Sequence, residues 1–374
     1  MKHPCQKQNE SHECRQKQEH KNDYLSGKAI RPDRIPPNAR IDFLVDEAYG
    51  AYNAARLSEA SRLYAKKMLA PEENVTVGLT MAGALPPAGL GGAVISLLEA
   101  GFVDWIIATG ANLYHDLHFA LNLPLFRGDF RIDDVDLHDQ GVVRIYDVLF
   151  SEDVLLNTDR FVREALQEWK DKGGISSAEL HNFLGHKLLK LPHGKHSILA
   201  TAAKLDIPIY TSSPGDSSIG MNLARLALEG GSLHVDPNKD VNETTALVYG
   251  AEKNGAILLG GGSPKNFYMQ TQPQLWEVLG INKGGHDYFI QITADAPHWG
   301  GLSGATPSEA VSWGKINPEE LNQTVVVYSD TTIAFPIIVS YALDKAAARP
   351  QKKLYQKREE LLSRLKEEFL EGQK

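Results

Sequence analysis

VTVGLTMAGALPPAGLGGAVISLLEAGFVDWIIATG, residues 75–110, is the stretch that decides the fold. Residues 75–79 are a short β-type run. A loop of small residues follows, and residues 89–100 have the apolar spacing of a helix. Residues 103–108 are a second strand, β-branched and aromatic, ending in Thr109-Gly110. Strand, helix and strand within about 35 residues form a βαβ unit, which implies parallel pairing and a right-handed crossover.

The same alternation resumes downstream. Residues 207–210 read as a strand, followed by a Ser/Pro/Gly/Asp turn and a helical run over 222–228. Residues 256–259 are a strand that runs into Gly260-Gly261-Gly262 and a helix. Tyr288–Thr293 and Thr324–Tyr328 are strands, and the latter leads through Asp330 into an apolar helix over 333–343. This predicts one α/β domain over residues 41–350, a doubly wound, mostly parallel sheet with helices on both faces. Upstream, residues 41–67 carry Phe43, Leu44, Ala48, Tyr49, Tyr52 and Leu57 at helical spacing, a helical lead-in. Residues 351–374 predict a charged amphipathic helix with Leu354, Leu361, Leu362, Leu365 and Phe369 in one stripe, packed on the body or on a neighbouring subunit.

Residues 1–40 are rich in Gln, Lys, Glu, His and Asn and read as a mobile polar arm. Within it His3, Cys5, His12, Cys14 and His20 fit no standard zinc spacing, so no metal is expected. Cys5 and Cys14 are the two cysteines of the 374-residue chain, which argues against a disulfide framework. The net charge of −8 argues against a broad nucleic-acid surface, which needs clustered Lys and Arg. The start of the chain has no secretory pattern, and its apolar runs are strand-length, so the expected location is the cytoplasm, away from membranes.

In a doubly wound sheet, ligands lie beyond the carboxyl ends of the strands. Five polar or glycine-rich stretches fall there: residues 80–83, 109–112, 212–220, 260–263 and 330–332. No G-x-G-x-x-G follows the first strand. The sharpest segment is SGATPSEAVSWGKI, residues 303–316. Thr306 is a good N-cap with Pro307 at N1 and Glu309 at N3, and Gly314 would end the helix. Glu309 therefore has a structural role available, Trp313 could be core, and Lys315 could be solvated. Together, a carboxylate and an indole face beside a lysine also make a site for an alkylammonium ligand. A lysine kept neutral by burial is a Schiff-base nucleophile.

EAVSWGKI at residues 309–316, ILLGGG at 257–262, GDSSIG at 215–220 and YSDTTIAFP at 328–336 resemble the motifs of the deoxyhypusine synthase family, in the family's order. The resemblance covers roughly residues 40–345. It implies a tetrameric enzyme with sites at subunit interfaces. There NAD oxidises spermidine to an imine, 1,3-diaminopropane leaves, and a lysine carries the butylimine to an acceptor amine. It makes Lys315 the nucleophile and Glu309 and Trp313 the polyamine binders. Thr80, Thr109, Gly110, Asp216, Gly261, Gly262, Asp330 and Thr331 would line the NAD site.

The departures concern the shell around the amine. Where eukaryotic members carry two aspartates, this chain has Trp299 and Leu302. Gln291 stands for a ligand tyrosine, Asn266 for a proton-transferring histidine and Met221 for an aspartate. Asp295, His298 and His286 are the nearby candidates to compensate. The implied function is NAD-dependent aminoalkyl transfer from a polyamine donor to a small amine acceptor, as in homospermidine formation. The alternatives are deoxyhypusine synthesis on a protein lysine and a non-catalytic NAD- or polyamine-binding protein.

Overall fold

A computed structural model of the chain describes Leu25 and residues 27–373. Contacts divide the chain into two units, Met1–Ala39 and Arg40–Lys374. Residues 27–39 of the first carry no helix or strand. His3, Cys5, His12, Cys14 and His20 of the expected arm lie outside the described residues.

The second unit is built on six strands: β1 (Val75–Met81), β2 (Trp105–Ala108), β3 (Ile209–Thr211), β4 (Lys253–Leu259), β5 (Tyr288–Thr293) and β6 (Thr324–Tyr328). Their spatial order is β6-β5-β4-β1-β2-β3, and every neighbouring pair is parallel. The chain thus starts at the centre, winds out to β3, returns to pair β4 with β1, and winds out to β6. The winding direction reverses between β1 and β4, which opens a crevice at their carboxyl ends.

All seven residues of β1 and all six of β5 are buried. Such continuous burial requires cover on both faces, and the alternating side chains supply two cores. Ile257 and Leu259 join the one that includes Leu97, Leu117 and Phe335; Ala256 and Leu258 join the other with Tyr268, Leu247 and Leu361. The helices are therefore on both faces, as the pattern predicts. Those used below are α1 (Tyr52–Leu63), α2 (Gly91–Glu99), α3 (Gly110–Ala120), α4 (Glu152–Gln167), α5 (Ser177–Leu188), α6 (Ile198–Lys204), α7 (Ser218–Leu228), α8 (Pro237–Tyr249), α9 (Gly262–Met269), α10 (Pro307–Ser312), α11 (Thr331–Lys345) and α12 (Leu354–Gly372).

The helical lead-in departs from expectation. It is interrupted after Ala48, Ala51 is extended, and α1 begins at Tyr52, which is 93% exposed. The break resets the helical phase, so Tyr52 leaves the stripe it shares in sequence with Phe43 and Tyr49. At the other end, α12 lays Leu354, Leu361 and Leu365 into the core that covers α8. Arg358 comes with them, 3.7 Å from Glu243 and stacked at 4.0 Å on Tyr355. A small antiparallel sheet of Phe126–Arg127, Val142–Ile145 and Val148–Ser151 precedes α4. No helix among the described residues is long and apolar enough to cross a membrane.

Candidate active site

Four helices start at the carboxyl edge of the sheet, each by a local device. Thr109 caps α3, Ser217 caps α7 and Asp330 caps α11, their side chains accepting first-turn N–H groups. The α9 start is made instead by the glycine turn, where Gly260 and Gly262 have φ of +76° and +57°. The loop after β1 is held by Asn112, which is wholly buried. Its Oδ1 accepts from Leu85 N at 2.8 Å, and its Nδ2 donates to Met81 O at 3.1 Å and Gly83 O at 2.9 Å. Thr109 Oγ1 also donates to Gly83 O at 2.6 Å.

These strand-end segments meet one another. A Cβ on Gly110 would lie 2.1 Å from Ser217 Cβ, so the turns after β2 and β3 are in direct contact. Ser212 Oγ is 2.7 Å from Ser263 Oγ, which brings the turn after β3 across to the start of α9. A Cβ on Gly261 would meet Ser303 Cα at 2.4 Å, and Gly262 N donates to Ser303 Oγ at 3.0 Å. Thr109, Gly110, Asp216, Gly261 and Gly262 therefore lie along one edge. Asp330 and Thr331 open α11 at the end of β6, where two bonds from Thr332 hold the Asp330 carboxyl below its usual range. Thr80 itself is wholly buried with its hydroxyl unpartnered, so the residues after it, Ala82 and Gly83, are the ones at the edge. Close backbone approach and clustered helix N-termini are the features that hold a pyrophosphate, and the residues present fit a dinucleotide.

The Lys315 motif folds as its sequence indicates. Thr306 Oγ1 accepts from Glu309 N at 3.2 Å, Pro307 opens α10, and Gly314 takes φ +65° just past its end. Glu309 completes only half of a capping box; its carboxylate lines a cavity of about 300 Å³ with Lys315, Trp313, Lys265, Asn266, Phe289 and Leu302. Lys315 Nζ is 3.4 Å from Asn266 Oδ1 and 5.5 Å from the centre of the Trp313 ring. Burial lowers its pKa, against the opposing pull of Glu309. Its backbone is pinned from beneath: His286 N donates to Lys315 O, and Asn317 N to His286 O, each at 3.0 Å.

The proposed compensating residues fall elsewhere. Asp295 and His298 do not line this cavity; His298 is exposed with its ring 5.9 Å from Trp299. His286 is 1% exposed and packs at 4.5 Å on Tyr268, and burial drops its pKa to about 3, so it is a neutral structural ring. Sequence reasoning missed Lys265 and Ser303. A lysine in the first turn of a helix, after a run of small residues, reads as solvated, and only the folded chain shows it 5% exposed. Among the described residues no group of three or more His, Cys, Asp or Glu is arranged to hold a metal.

A deoxyhypusine synthase family model matches residues 44–342. The chain belongs to the deoxyhypusine synthase family. It is 51% identical over 355 residues to a deoxyhypusine synthase-like protein of Nostoc punctiforme, covering 92% of this chain and 90% of that one. A Methanosarcina acetivorans protein named "Probable deoxyhypusine synthase 2" is 40% identical over 267 residues, 71% of this chain and 76% of its own. Among solved structures, a chain assigned as the deoxyhypusine synthase of Entamoeba histolytica superposes with a TM-score of 0.56 at 18% identity, covering 84% of this chain and 96% of that one, a likeness of fold. Members of the deoxyhypusine synthase family are aminobutyl transferases that act on polyamines and use NAD.

Proposed function

We propose that the chain transfers an aminoalkyl group through an imine on Lys315, with NAD as the hydride carrier, to a small amine, giving a homospermidine-type product. One observation carries this reading: Lys315 is a half-buried amine with a single long contact to an amide oxygen and no ion pair among the described residues. An unperturbed lysine, with pKa about 10.4, is almost wholly protonated at neutral pH. Burial at this position favours the neutral form that attacks carbon.

The other residues divide the work. Glu309 offers one carboxylate to a distal ammonium, and the Trp313 face offers a second, weaker site worth about 0.5–2 kcal/mol. Phe289 and Leu302 give the cavity its apolar wall. Asn266 orients the Lys315 amine through its amide oxygen. NAD, when bound along the strand-end edge, would take a hydride from the carbon beside the donor nitrogen and return one to the product. A cavity with one carboxylate suits a small acceptor better than an array of fixed charges would. The exposed positions of Glu309 and Trp313 at its mouth keep a protein lysine as the second reading. The same reading makes the enzyme a cytoplasmic homotetramer whose site is completed by a neighbouring subunit. The exposed apolar rim of Trp299, Leu302 and Trp313 supports this.

The test is borohydride reduction after incubation with NAD and spermidine, with putrescine or a protein as acceptor, then peptide mapping and polyamine analysis. An adduct on the Lys315 peptide and homospermidine as product are expected. Lys315→Arg should keep NAD binding and lose both, because a guanidinium does not become a neutral nucleophile. Full transfer by Lys315→Arg overturns the mechanism. Modification of the protein alone selects the second reading, and binding without turnover selects a non-catalytic role.

A further inference from the structure

The Lys315 cavity holds a second lysine. Lys265 lies on α9 next to Asn266, and its Nζ is 2.7 Å from Ala305 O, 2.9 Å from Gln291 Oε1 and 3.4 Å from Ser303 O. Two close acceptors and a third, longer one surround the nitrogen, an arrangement that matches the three N–H bonds of an ammonium. Lys265 is therefore an ammonium. The assignment of the Gln291 amide is fixed independently. Its nitrogen must face the two carbonyls it touches, Gly260 O and Ser303 O, both at 2.8 Å, which turns its oxygen to Lys265.

None of the three acceptors carries charge, so the ammonium is hydrogen-bonded but not neutralised. The charged groups that face it are Lys315 and Glu309, and the Phe289 ring lies 5.7 Å away. Lys315 has the opposite endowment: one long contact and no anchor for a third proton. Two amines that share a cavity of low polarity with a single carboxylate do not both stay protonated at no cost. Of the two, Lys265 has the partners that keep the proton.

We infer that Lys265 is a fixed cation that drives Lys315 to its neutral, nucleophilic form, and that Gln291 is the positioning residue that holds Lys265 without cancelling its charge. The inference rests on Lys315 as the reactive amine, and it assigns a use to Gln291, the position where the resemblance to eukaryotic members of the family implies a ligand tyrosine. Burial lowers Lys265 to about 8, with Glu309 opposing and Lys315 adding to the lowering, so Lys265 still holds its proton at neutral pH.

The experiment is competitive acetylation of the full-length protein with acetic anhydride across the neutral and alkaline range, the Lys315 peptide being quantified by mass spectrometry. It needs neither NAD nor substrate. Wild-type Lys315 should label with a midpoint below the ordinary lysine value of about 10.4. Lys265→Met, and the near-isosteric Gln291→Glu that supplies a cancelling carboxylate, should each raise the midpoint by about one pH unit, a tenfold fall in labelling at neutral pH. Glu309→Gln should move it down. An unchanged midpoint in folded Lys265→Met and Gln291→Glu, checked by circular dichroism, overturns the inference, as does a wild-type midpoint at the ordinary value. A depressed midpoint that responds to these variants, beside no borohydride adduct with NAD and amines, refutes the transfer reaction and leaves the inference standing.

Discussion

Gly110→Ala tests whether the strand-end edge is assembled as described. The added methyl would lie 2.1 Å from Ser217 Cβ and 2.6 Å from its Oγ. Ser217 Cβ is one bond from the backbone, so no rotamer removes the clash and one of the two turns must move. Overpacking of this kind costs about 1–3 kcal/mol. The movement also takes Ser217 off its cap, where its Oγ accepts from Gly220 N at 3.0 Å, at about 1 kcal/mol more. The sum, about 2–4 kcal/mol, corresponds to a fall in Tm of about 4–8 °C for a domain of this size. Gly92→Ala is the control, since nothing lies within 4 Å of its added methyl. Thermal unfolding by circular dichroism gives Tm, and calorimetry with NAD gives binding. The variant should lose affinity for NAD as well as stability, because both turns border the proposed cofactor edge. A Gly110→Ala protein that melts with the wild type and binds NAD unchanged would refute the contact between the two turns.

Other expectations concern charge, packing and assembly. Aminoalkyl transfer should rise with pH and level off below the ordinary lysine pKa, because burial lowers that of Lys315 and the neutral amine reacts; a rate that climbs unabated through about pH 10.4 would contradict it. His181 is buried, with Nδ1 2.7 Å from Ile209 O, and its pKa falls to about 4. The unfolded chain binds a proton there below about pH 6.5 and the native one does not until about pH 4. Stability is therefore lost on acidification through that window, by roughly 3 kcal/mol in all; an equal acid slope in denaturant titrations of His181→Gln would exclude this group. Leu361→Ala should cost about 2–5 kcal/mol, since Leu361 is 8% exposed against Gly250, and a shift in the urea midpoint measures it. Light scattering should give a tetramer mass, and a monomer at micromolar concentration would leave the rim at Trp299 and Trp313 without its expected cover.

The strands of the sheet were legible because burial on both faces leaves an unbroken apolar run. Tyr288–Thr293 and Thr324–Tyr328 have the bounds that their composition indicates. β4 starts three residues earlier than its apolar run, at Lys253, because the folded chain pays for buried Asn254 with a bond to Val248 O at 3.1 Å that no local pattern announces. The small antiparallel sheet was not legible: its strands have two to four residues, and the four of Val142–Ile145 are all half-buried. At the site, Glu309, Trp313 and Lys315 were legible as a contiguous motif. Lys265 and Ser303 were not, because Lys265 meets Gln291 and Ser303 only through contacts 26 and 38 positions apart.

The place of β1 at the middle of the sheet has a consequence for synthesis. β1 is complete at Met81, and its partner β4 only at Leu259, 178 residues later. At about 5–20 residues per second, one edge of VTVGLTM waits roughly 10–35 s for its partner after it has left the ribosome. The waiting edge carries no charge and no proline, the composition that pairs with another copy of itself. β2 emerges early and closes the other side, which presents the open edge in extended form. A ribosome stalled between β2 and β4 would therefore release an aggregating fragment, and production of the protein at high rates should depend on a chaperone that occupies this edge until residue 259 arrives.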